Sequence, residues 1–475
     1  MFACCSSSAL AQHVITWRQP AGAATQPSEM DRNRAMSLAR ESIACIEGND
    51  LNGAEIKLRE AMAILPDKAI WHYNLACILT ARKKIDAAMD SLQRATELGF
   101  SDFNILENDA DLKPLHPLPA YQNLLAHKKE ICQKAAERSL ADLKSRFGAD
   151  YLYEVDEDQK LIFATNIDRA TLDALKVWLH DQARSQGELL FSHKSDEFIR
   201  IVVPSMADYR KLIRQRGVMG IYEDETRTLL AERMGQVMTH EFTHALHAAD
   251  QRAVGQEHPV WLREGLASMY EAGEFENGQL IPADNFRLAF IQSAARRHAL
   301  IPLDKLLSLT TRDFVNSPNL AYGESSSLLL YLYDRKLLRK YYDAYKASYR
   351  SDPSGGGALE AVTQMNLADL QTAWTQWMLA RKSPKLLPVA GGPYLGVHFG
   401  DAIDGLKVSM ILPSGPGAKA GIKLGDVIVG LNEREVRDYA SFAPLLSAHK
   451  VGDEVTLKVR RDGKYIDVPV TLGHR

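Results

Sequence analysis

A short histidine-containing stretch gives the clearest chemical signal in the sequence. It reads HEFTH, from His240 to His244, with Glu241 in second place. On a helix, positions i and i+4 lie on one face, so both imidazoles can reach one Zn²⁺ ion at about 2.1 Å. Glu241 lies beside them, where its carboxylate can take a proton from the attacking water and pass it to a leaving amine. The apolar residues around the motif are typical of a buried helix.

A catalytic zinc site also needs a third protein ligand and an open position for water. Three downstream side chains are candidates: His247, His258 and Glu264. His247 is so close to His244 that it would strain a tetrahedral site, and a partly exposed helix histidine is the simpler interpretation. His258 precedes a proline in a predicted loop, where capping or surface histidines are common. Glu264 lies in a helical stretch that could pack against the first helix; its alternative is an ion pair with Arg263 on a solvated face.

The combined pattern resembles the gluzincin metallopeptidases. After His244, 19 residues intervene before Glu264 in WLREGLASMYE, and the aminopeptidase branch of that group carries a very similar WLxEGFA element. The resemblance implies one zinc ion per chain, held by His240, His244 and Glu264. It also implies that Glu241 is the general base and that the surrounding domain has a zincin-like fold.

A tyrosine that donates to the oxyanion is expected from the same resemblance. The stretch NLAYGESSSLLLYLYDR, residues 319–335, resembles the downstream helix of such peptidases and places Tyr322 in that role. A phenol aimed at the developing oxyanion would complement the metal. Tyr331 and Tyr333 lie on the same predicted helix, and amphipathic packing is the alternative for a tyrosine there.

One departure from the family bears on specificity. Aminopeptidases of this group bind the free amine of the substrate with an acidic residue on a glycine-rich strand, and GVMGIYEDETRTLL, residues 217–230, lacks that motif. Glu223 could imitate the acid, but EDET more simply predicts a charged hairpin tip. The flanking strands could instead offer a sheet edge to an extended peptide. These features favour an endopeptidase over an exopeptidase.

Composition narrows the function classes. The chain has 475 residues, 46% hydrophobic and 25% charged, which is typical of a globular protein of about three domains. A net charge of −3 without a basic run argues against nucleic-acid binding, and no apolar stretch predicts a membrane span. Five cysteines without a CxxC pair or an even disulfide framework favour a reducing compartment. Residues 1–30 predict a flexible leader without a secretory signal, which favours the cytoplasm, or the periplasm or envelope if the true N-terminus is longer.

Residues 31–132 predict helical repeats and a cap. Small and apolar residues recur with a period of 34: Ala54, Leu58 and Ala61 match Ala88, Leu92 and Ala95. This resembles the tetratricopeptide repeat in two units over residues 35–102, and residues 109–125 could supply the cap. A plain helical hairpin is the alternative.

Residues 133–382, with strand-like YLYEV, KLIFATN and FIRIVV before a helix-rich block, predict the α+β metallopeptidase domain. Residues 383–393, SPKLLPVAGGP, predict a linker.

Residues 394–475 return to short alternating strands and resemble a PDZ domain of bacterial proteases. The resemblance is carried by Tyr394-Leu395-Gly396-Val397, by PSGPGAKAGIKLGDVIVGLNEREV and by RRDGK. It implies that backbone N–H groups near Leu395, Gly396 and Val397 cradle the carboxylate of a C-terminal peptide, which adds a strand to the sheet edge. Residues 441–450 should form the helix that lines this groove. A β-domain that only packs on its neighbour is the alternative.

The sequence thus predicts a multidomain protein with an α-helical repeat region, an α+β zincin-like metallopeptidase domain and a β-rich PDZ domain. Its predicted function is zinc-dependent hydrolysis of peptide bonds, with the repeat and PDZ modules binding protein or peptide substrates. The alternative is a catalytically inactive peptidase-like scaffold for protein interactions. All four residues of the metal chemistry are present, whereas a decayed site usually loses the base or a ligand first.

Overall fold

The computed structural model of the protein describes residues 28–213, 218–382 and 392–474. Most of the predicted leader and most of the predicted linker lie outside these residues, as do Cys4 and Cys5. Cys45, Cys77 and Cys132 are free thiols. No helix within the described residues has the length and apolar character needed to cross a membrane.

The N-terminal region is a row of helices. In it α1 packs on α2 and α3 packs on α4, as two hairpins with short turns. The six residues that recur with a period of 34 are all buried, and small side chains at these places let the paired helices approach closely. A six-residue 3-10 helix, Ala110–Leu115, separates α5 from α6. The helices are α1 (Glu29–Glu47), α2 (Leu51–Ile64), α3 (Ala69–Ala81), α4 (Ile85–Glu97), α5 (Phe103–Asn108), α6 (Pro119–Ala126) and α7 (Lys128–Phe147).

A five-stranded mixed sheet opens the middle region, in the order β1-β2-β3-β5-β4. The neighbours β2, β3 and β5 are parallel, and β1 and β4 are antiparallel edge strands. Every residue of β2 is buried, as expected of a strand covered on both faces. The elements are β1 (Leu152–Asp156), β2 (Leu161–Thr165), α8 (Arg169–Leu189), β3 (Ile199–Val203), α9 (Met206–Leu212), β4 (Gly220–Glu223) and β5 (Thr228–Ala231).

The helical block that follows is built around α11. Its Gly265 lies so close to α15 that an added Cβ would come within 2.8 Å of Leu329 Cδ1, so the two helices touch almost backbone to backbone. The other side of α11 packs on α10. The elements are α10 (Gln236–Ala253), α11 (Val260–Tyr270), β6 (Glu274–Glu276), β7 (Gln279–Ile281), α12 (Arg287–Arg296), α13 (Leu303–Leu306), α14 (Thr311–Asn316), α15 (Pro318–Asp334), α16 (Leu338–Ser348), α17 (Gly356–Thr363) and α18 (Leu367–Ala380).

The C-terminal region is a small β-domain with its own core. Its main sheet has the order β14-β13-β11-β10-β9, with β12 on β11, while β8 pairs with β15. Alternate residues of β13 are buried, the pattern of a strand with one covered face. The elements are β8 (Pro393–Tyr394), β9 (Val397–Asp401), β10 (Leu406–Ile411), α19 (Pro416–Lys419), β11 (Val427–Leu431), β12 (Arg434–Glu435), α20 (Tyr439–Ser447), β13 (Glu454–Arg461), β14 (Lys464–Thr471) and β15 (Gly473–His474).

This β-domain contacts the start of α10. The Met234 N–H donates to the Ile403 carbonyl at 2.6 Å, and the Gln236 N–H donates to Asp438 Oδ2 at 3.3 Å. Gly235, between them, has a φ of 95°. The N-terminus of the helix that carries the HEFTH motif is therefore held by the C-terminal domain.

Candidate metal centre

Helix α10 has two different faces. Met238, Phe242 and Ala245 are buried in a core formed with the five-stranded sheet. His240 and His244 lie on the other side, with side chains 14% and 19% exposed. The i and i+4 spacing places both imidazoles on one face of the helix, as the sequence predicts, and the structure turns that face away from the core formed with the sheet.

Glu264 of α11 meets both histidines. Its Oε2 lies 3.3 Å from His240 Nε2 and 3.4 Å from His244 Nε2, and the two Nε2 atoms are 3.0 Å apart. A tetrahedral ion with bonds of about 2.1 Å holds its ligands about 3.4 Å from one another. The three donors therefore have the mutual spacing that a zinc ion needs, and they leave one tetrahedral position to other groups. A search of the described residues for three or more His, Cys, Asp or Glu side chains close enough to share one ion finds this group.

The charge distribution at this point also suits a cation. Burial alone would raise the pKa of Glu264, but the adjacent His244 and His240 hold that pKa below its ordinary range, so the carboxylate is ionised. Burial lowers the pKa of His240, yet its hydrogen bonds to Glu264 and Glu271 prevail and raise it to about 10. Two acidic groups thus converge on one imidazole in a largely buried site, where a divalent cation would balance their charge.

Glu271 is a functional candidate that the sequence reasoning missed. His240 Nδ1 donates to Glu271 Oε1 at 2.9 Å, and the Glu271 carboxylate also pairs with Arg287 and accepts from Asn285 Nδ2 at 3.4 Å. Histidine ligands of metals usually donate their second ring N–H to such a carboxylate, which fixes the tautomer and the ring orientation. Its position in the sequence could have identified it, because Glu271 follows Glu264 by seven residues and so lies two helical turns further along the same helix face.

Glu241 faces the edge strand of the sheet. Its Oε2 accepts a hydrogen bond from the Tyr222 N–H of β4 at 2.8 Å. An added Cβ at Gly220 would come within 2.5 Å of Val237 Cγ1 and 3.1 Å of Glu241 Cγ. A glycine at this place therefore lets β4 cross α10 closely, which brings the strand edge and the predicted base together.

Tyr322, at the start of α15, lies next to the three donors. Its ring centroid is 6.4 Å from that of His240 and 4.8 Å from that of Phe314. Burial, with the nearby Glu264, raises the pKa of Tyr322 above its ordinary value, so the phenol keeps the proton that a donor needs. Tyr331 instead packs edge-on against Trp377 in the hydrophobic core. The structure therefore places Tyr322 at the candidate site and Tyr331 away from it.

The structure corrects the interpretation of the other two histidines. His247 and His258 are each only 1% exposed, and their ring nitrogens lie 2.8 Å apart, which contradicts the predicted partly exposed helix position and surface loop. The rings of Phe191 and Tyr342 pack against His247. Burial lowers the pKa of His258 to about 3, so its ring is neutral. Both belong to a buried polar pair and lie outside the group formed by His240, His244 and Glu264.

The predicted hairpin tip is present but is not simply solvated. Residues 224–227 join β4 to β5. Burial opposes ionisation of Asp224, but Arg252 and Arg227 prevail and lower its pKa. Glu225 pairs with Lys68 of the N-terminal helices. The hairpin turn is therefore held by ion pairs to two other parts of the protein, to Arg252 of α10 and to Lys68 of the N-terminal helices.

These groups line one large cleft. It has a volume of about 1180 Å³, and its walls include His240, His244, Glu264 and Tyr322 together with the β4–β5 hairpin and parts of α1 and α3. The cleft gives an extended ligand access to Glu241 and to the three donors at once.

In the C-terminal domain an edge strand and a helix lie side by side. Strand β9 is the edge of its sheet, and α20 lies beside it, with the Phe399 ring 5.1 Å from that of Phe442. Gly396, at the predicted carboxylate loop, has a φ of 72°, and an added Cβ would come within 2.8 Å of Gly415 Cα. Tyr394, Leu395 and Val397 flank it, with Leu395 and Val397 buried.

Comparison with protein families decides what this domain is. Residues 393–472 match the family model described as "PDZ domain". Residues 393–472 form a PDZ domain. No curated protein matches the chain. The PDZ domain is a peptide-recognition fold, in which a peptide adds a strand to the sheet edge.

Solved structures give similarities of limited extent. The serine endoprotease from Yersinia pestis is 22% identical, with 23% of this chain and 36% of that chain covered and a TM-score of 0.17. The HtrA-type protease AlgW with decapeptide is 20% identical, with 22% of this chain and 35% of that chain covered and the same TM-score. The chain thus spans about a third of the length of the structures that it matches.

Proposed function

We propose that the protein is a zinc-dependent metallopeptidase of gluzincin type, with the N-terminal helical module and the PDZ domain binding protein or peptide substrates. The observation that carries the proposal is the convergence of His240, His244 and Glu264 at the mutual spacing of a zinc ligand set. Glu241 and Tyr322 line the same cleft. A structural zinc site would not need a carboxylate base or a tyrosine donor beside it.

Each group has a distinct role in this proposal. A bound zinc ion would polarise the substrate carbonyl and make water easier to deprotonate. Glu241 removes a proton from the attacking water as its oxygen bonds to the carbonyl carbon, and later gives that proton to the leaving nitrogen as the C–N bond breaks. Tyr322 donates a hydrogen bond to the oxyanion. Glu271 positions His240.

Internal cleavage is favoured by the strand edge beside the base. Strand β4 is an edge strand of the described five-stranded sheet, and its Tyr222 N–H, which donates to Glu241 Oε2, places the base at that edge. An extended peptide that added to this edge would lie beside Glu241. The cleft continues beyond the candidate centre along β4 and the turn that follows it, residues 220–227. A substrate chain can therefore extend past the scissile bond, which supports an endopeptidase.

The test compares zinc content and cleavage in matched variants. Wild type should hold one zinc ion per chain by mass spectrometry of the metal and should cut peptides in a complex mixture. Glu241→Gln should keep the zinc and lose cleavage by at least about 10²-fold, because the base is gone while the ligands remain. Tyr322→Phe should also keep zinc, with kcat lower by about 10²-fold. Glu157→Gln is the control, because it changes an exposed carboxylate in the turn between β1 and β2, at the opposite end of the sheet from β4.

Two results would overturn the proposal. One is undiminished cleavage by Glu241→Gln. The other is wild-type protein that cleaves peptides while holding much less than one zinc ion per chain. A wild type that binds peptides but neither holds zinc nor cuts them would instead support the scaffold for protein interactions that the sequence leaves as the alternative.

A further inference from the structure

The cleft does not end at the metal centre. Strand β4 begins at Gly220, beside Val237 and Glu241 of α10, and leads to the hairpin turn at Glu225. Glu225 pairs with Lys68, the residue that precedes α3 in the N-terminal module. At about 3.3 Å per residue, the four residues of β4 span about 13 Å. An extended chain that follows β4 away from the base therefore reaches the N-terminal helices within about four residues.

The helical face that it would reach is partly apolar and accessible. On α1, Met36, Arg40 and Ile43 follow the i, i+4, i+7 spacing of one helix face, and α3 adds Ile70 and Asn74 at i and i+4. All five line the same cleft as His240 and Glu241. Ile43 is half-buried, and the helical core does not include it. We call these five residues the inner face of the module.

The inner face is held at a fixed place relative to the base. Arg252, on the same helix as the histidine ligands, is buried and donates from Nε to Asp102 of the N-terminal module at 3.3 Å. It also pairs with Asp224 of the hairpin turn. One guanidinium thus connects the helical module, the strand hairpin and α10. Buried charges arranged in this way fix the geometry of the groups they join, since separating them would leave them unpaired.

We propose that the inner face is a substrate-binding extension of the catalytic cleft. It holds an extended polypeptide segment with apolar side chains that lies about four residues or more from the scissile bond, on one side of it. Closer to the bond, the segment pairs with the edge of β4. This assignment rests on the proposed peptidase function and specifies its substrate class: long unfolded polypeptides rather than short peptides.

The test uses two fluorogenic peptides with the same central sequence, taken from cleavage profiling. The short one extends three residues to each side of the scissile bond, and the long one extends seven residues with apolar side chains. Wild type should cleave the long peptide with a kcat/KM at least 10-fold higher. Ile43→Asp should remove most of this preference through KM while leaving both constants for the short peptide unchanged. Ile56→Asp, at a 49% exposed position of α2 outside the cleft, should leave both peptides unaffected.

A binding measurement separates this inference from the proposed function. Fluorescence anisotropy of the long peptide with Glu241→Gln protein reports binding without turnover, and adding Ile43→Asp should weaken that binding about 10-fold. Ile43→Ser, a milder change, guards against misfolding of the aspartate variant. Equal kcat/KM for the two peptides, or equal effects of Ile43→Asp and Ile56→Asp, would overturn the inference even in an active enzyme. Loss of all cleavage with peptide binding intact would overturn only the peptidase function.

Discussion

Replacing Glu271 by glutamine tests whether this carboxylate sets the zinc affinity of the proposed metal site. The variant keeps the shape of the side chain but removes the negative charge of the carboxylate, whose Oε1 accepts a hydrogen bond from the His240 Nδ1–H at 2.9 Å. Because Glu271 is nearly buried, with 8% of its side chain exposed, solvent does little to screen that interaction. The His240 ring should then be less firmly oriented, and its Nε2 should be a weaker electron-pair donor to the metal.

Loss of such a carboxylate typically weakens metal affinity by about 10- to 100-fold, which corresponds to roughly 1.4–2.7 kcal/mol. We expect a decrease in zinc affinity of that size for Glu271→Gln, measured by competition with a fluorescent zinc chelator at one fixed pH. The rate of peptide cleavage at saturating zinc should fall less than the affinity, because all three ligands and Glu241 remain.

Two further variants isolate the cause. Arg287→Gln breaks the ion pair with Glu271 but leaves His240 its acceptor, so it should weaken zinc binding less than Glu271→Gln does. Glu157→Gln removes an exposed carboxylate and should leave zinc affinity unchanged. If Glu271→Gln changed the affinity by no more than the Glu157 variant, the carboxylate would not orient His240 and the reasoning would be refuted.

Two other predictions concern stability. Gly235→Ala should lower the free energy of unfolding by roughly 2 kcal/mol in urea titrations, since its φ is 95° and the new Cβ would meet Asp438 Oδ2 at 2.9 Å. Gly187→Ala is the control: it lies inside α8 with no atom within 4 Å of the new Cβ, so it should leave the free energy of unfolding unchanged or raise it by up to about 1 kcal/mol. Equal changes in the two variants would contradict this account of the PDZ contact. Acid should also destabilise the fold. Burial lowers the pKa of His258 to about 3 in the folded chain, against about 6.5 when unfolded, so below pH 6.5 the unfolded chain gains a proton that the folded chain does not. The free energy of unfolding should therefore fall by about 1.4 kcal/mol per pH unit from this histidine between pH 6.5 and pH 3; in urea titrations at pH 7 and pH 5, His258→Gln should show a smaller loss than wild type, and an identical loss would contradict the assignment.

Local periodicity predicts how the two histidines of the HEFTH motif are placed. The i and i+4 spacing of His240 and His244 fixes their common face as soon as α10 forms, and the tertiary structure only had to cover the opposite apolar face. The recurrence of small residues every 34 positions likewise predicted the helical hairpins. The PDZ domain was predictable because its turns and glycines form a dense pattern over a short, continuous stretch.

The sequence by itself therefore predicted which residues would bind a metal and which would act as the base, and it located the PDZ domain. Only the tertiary structure showed that Glu271 accepts a hydrogen bond from His240, that His247 and His258 are buried together, and that α1 and α3 line the cleft. These features depend on contacts between segments far apart in the chain, such as Arg252 with Asp102. Such contacts arise from the packing of whole elements, whose relative placement no local spacing encodes.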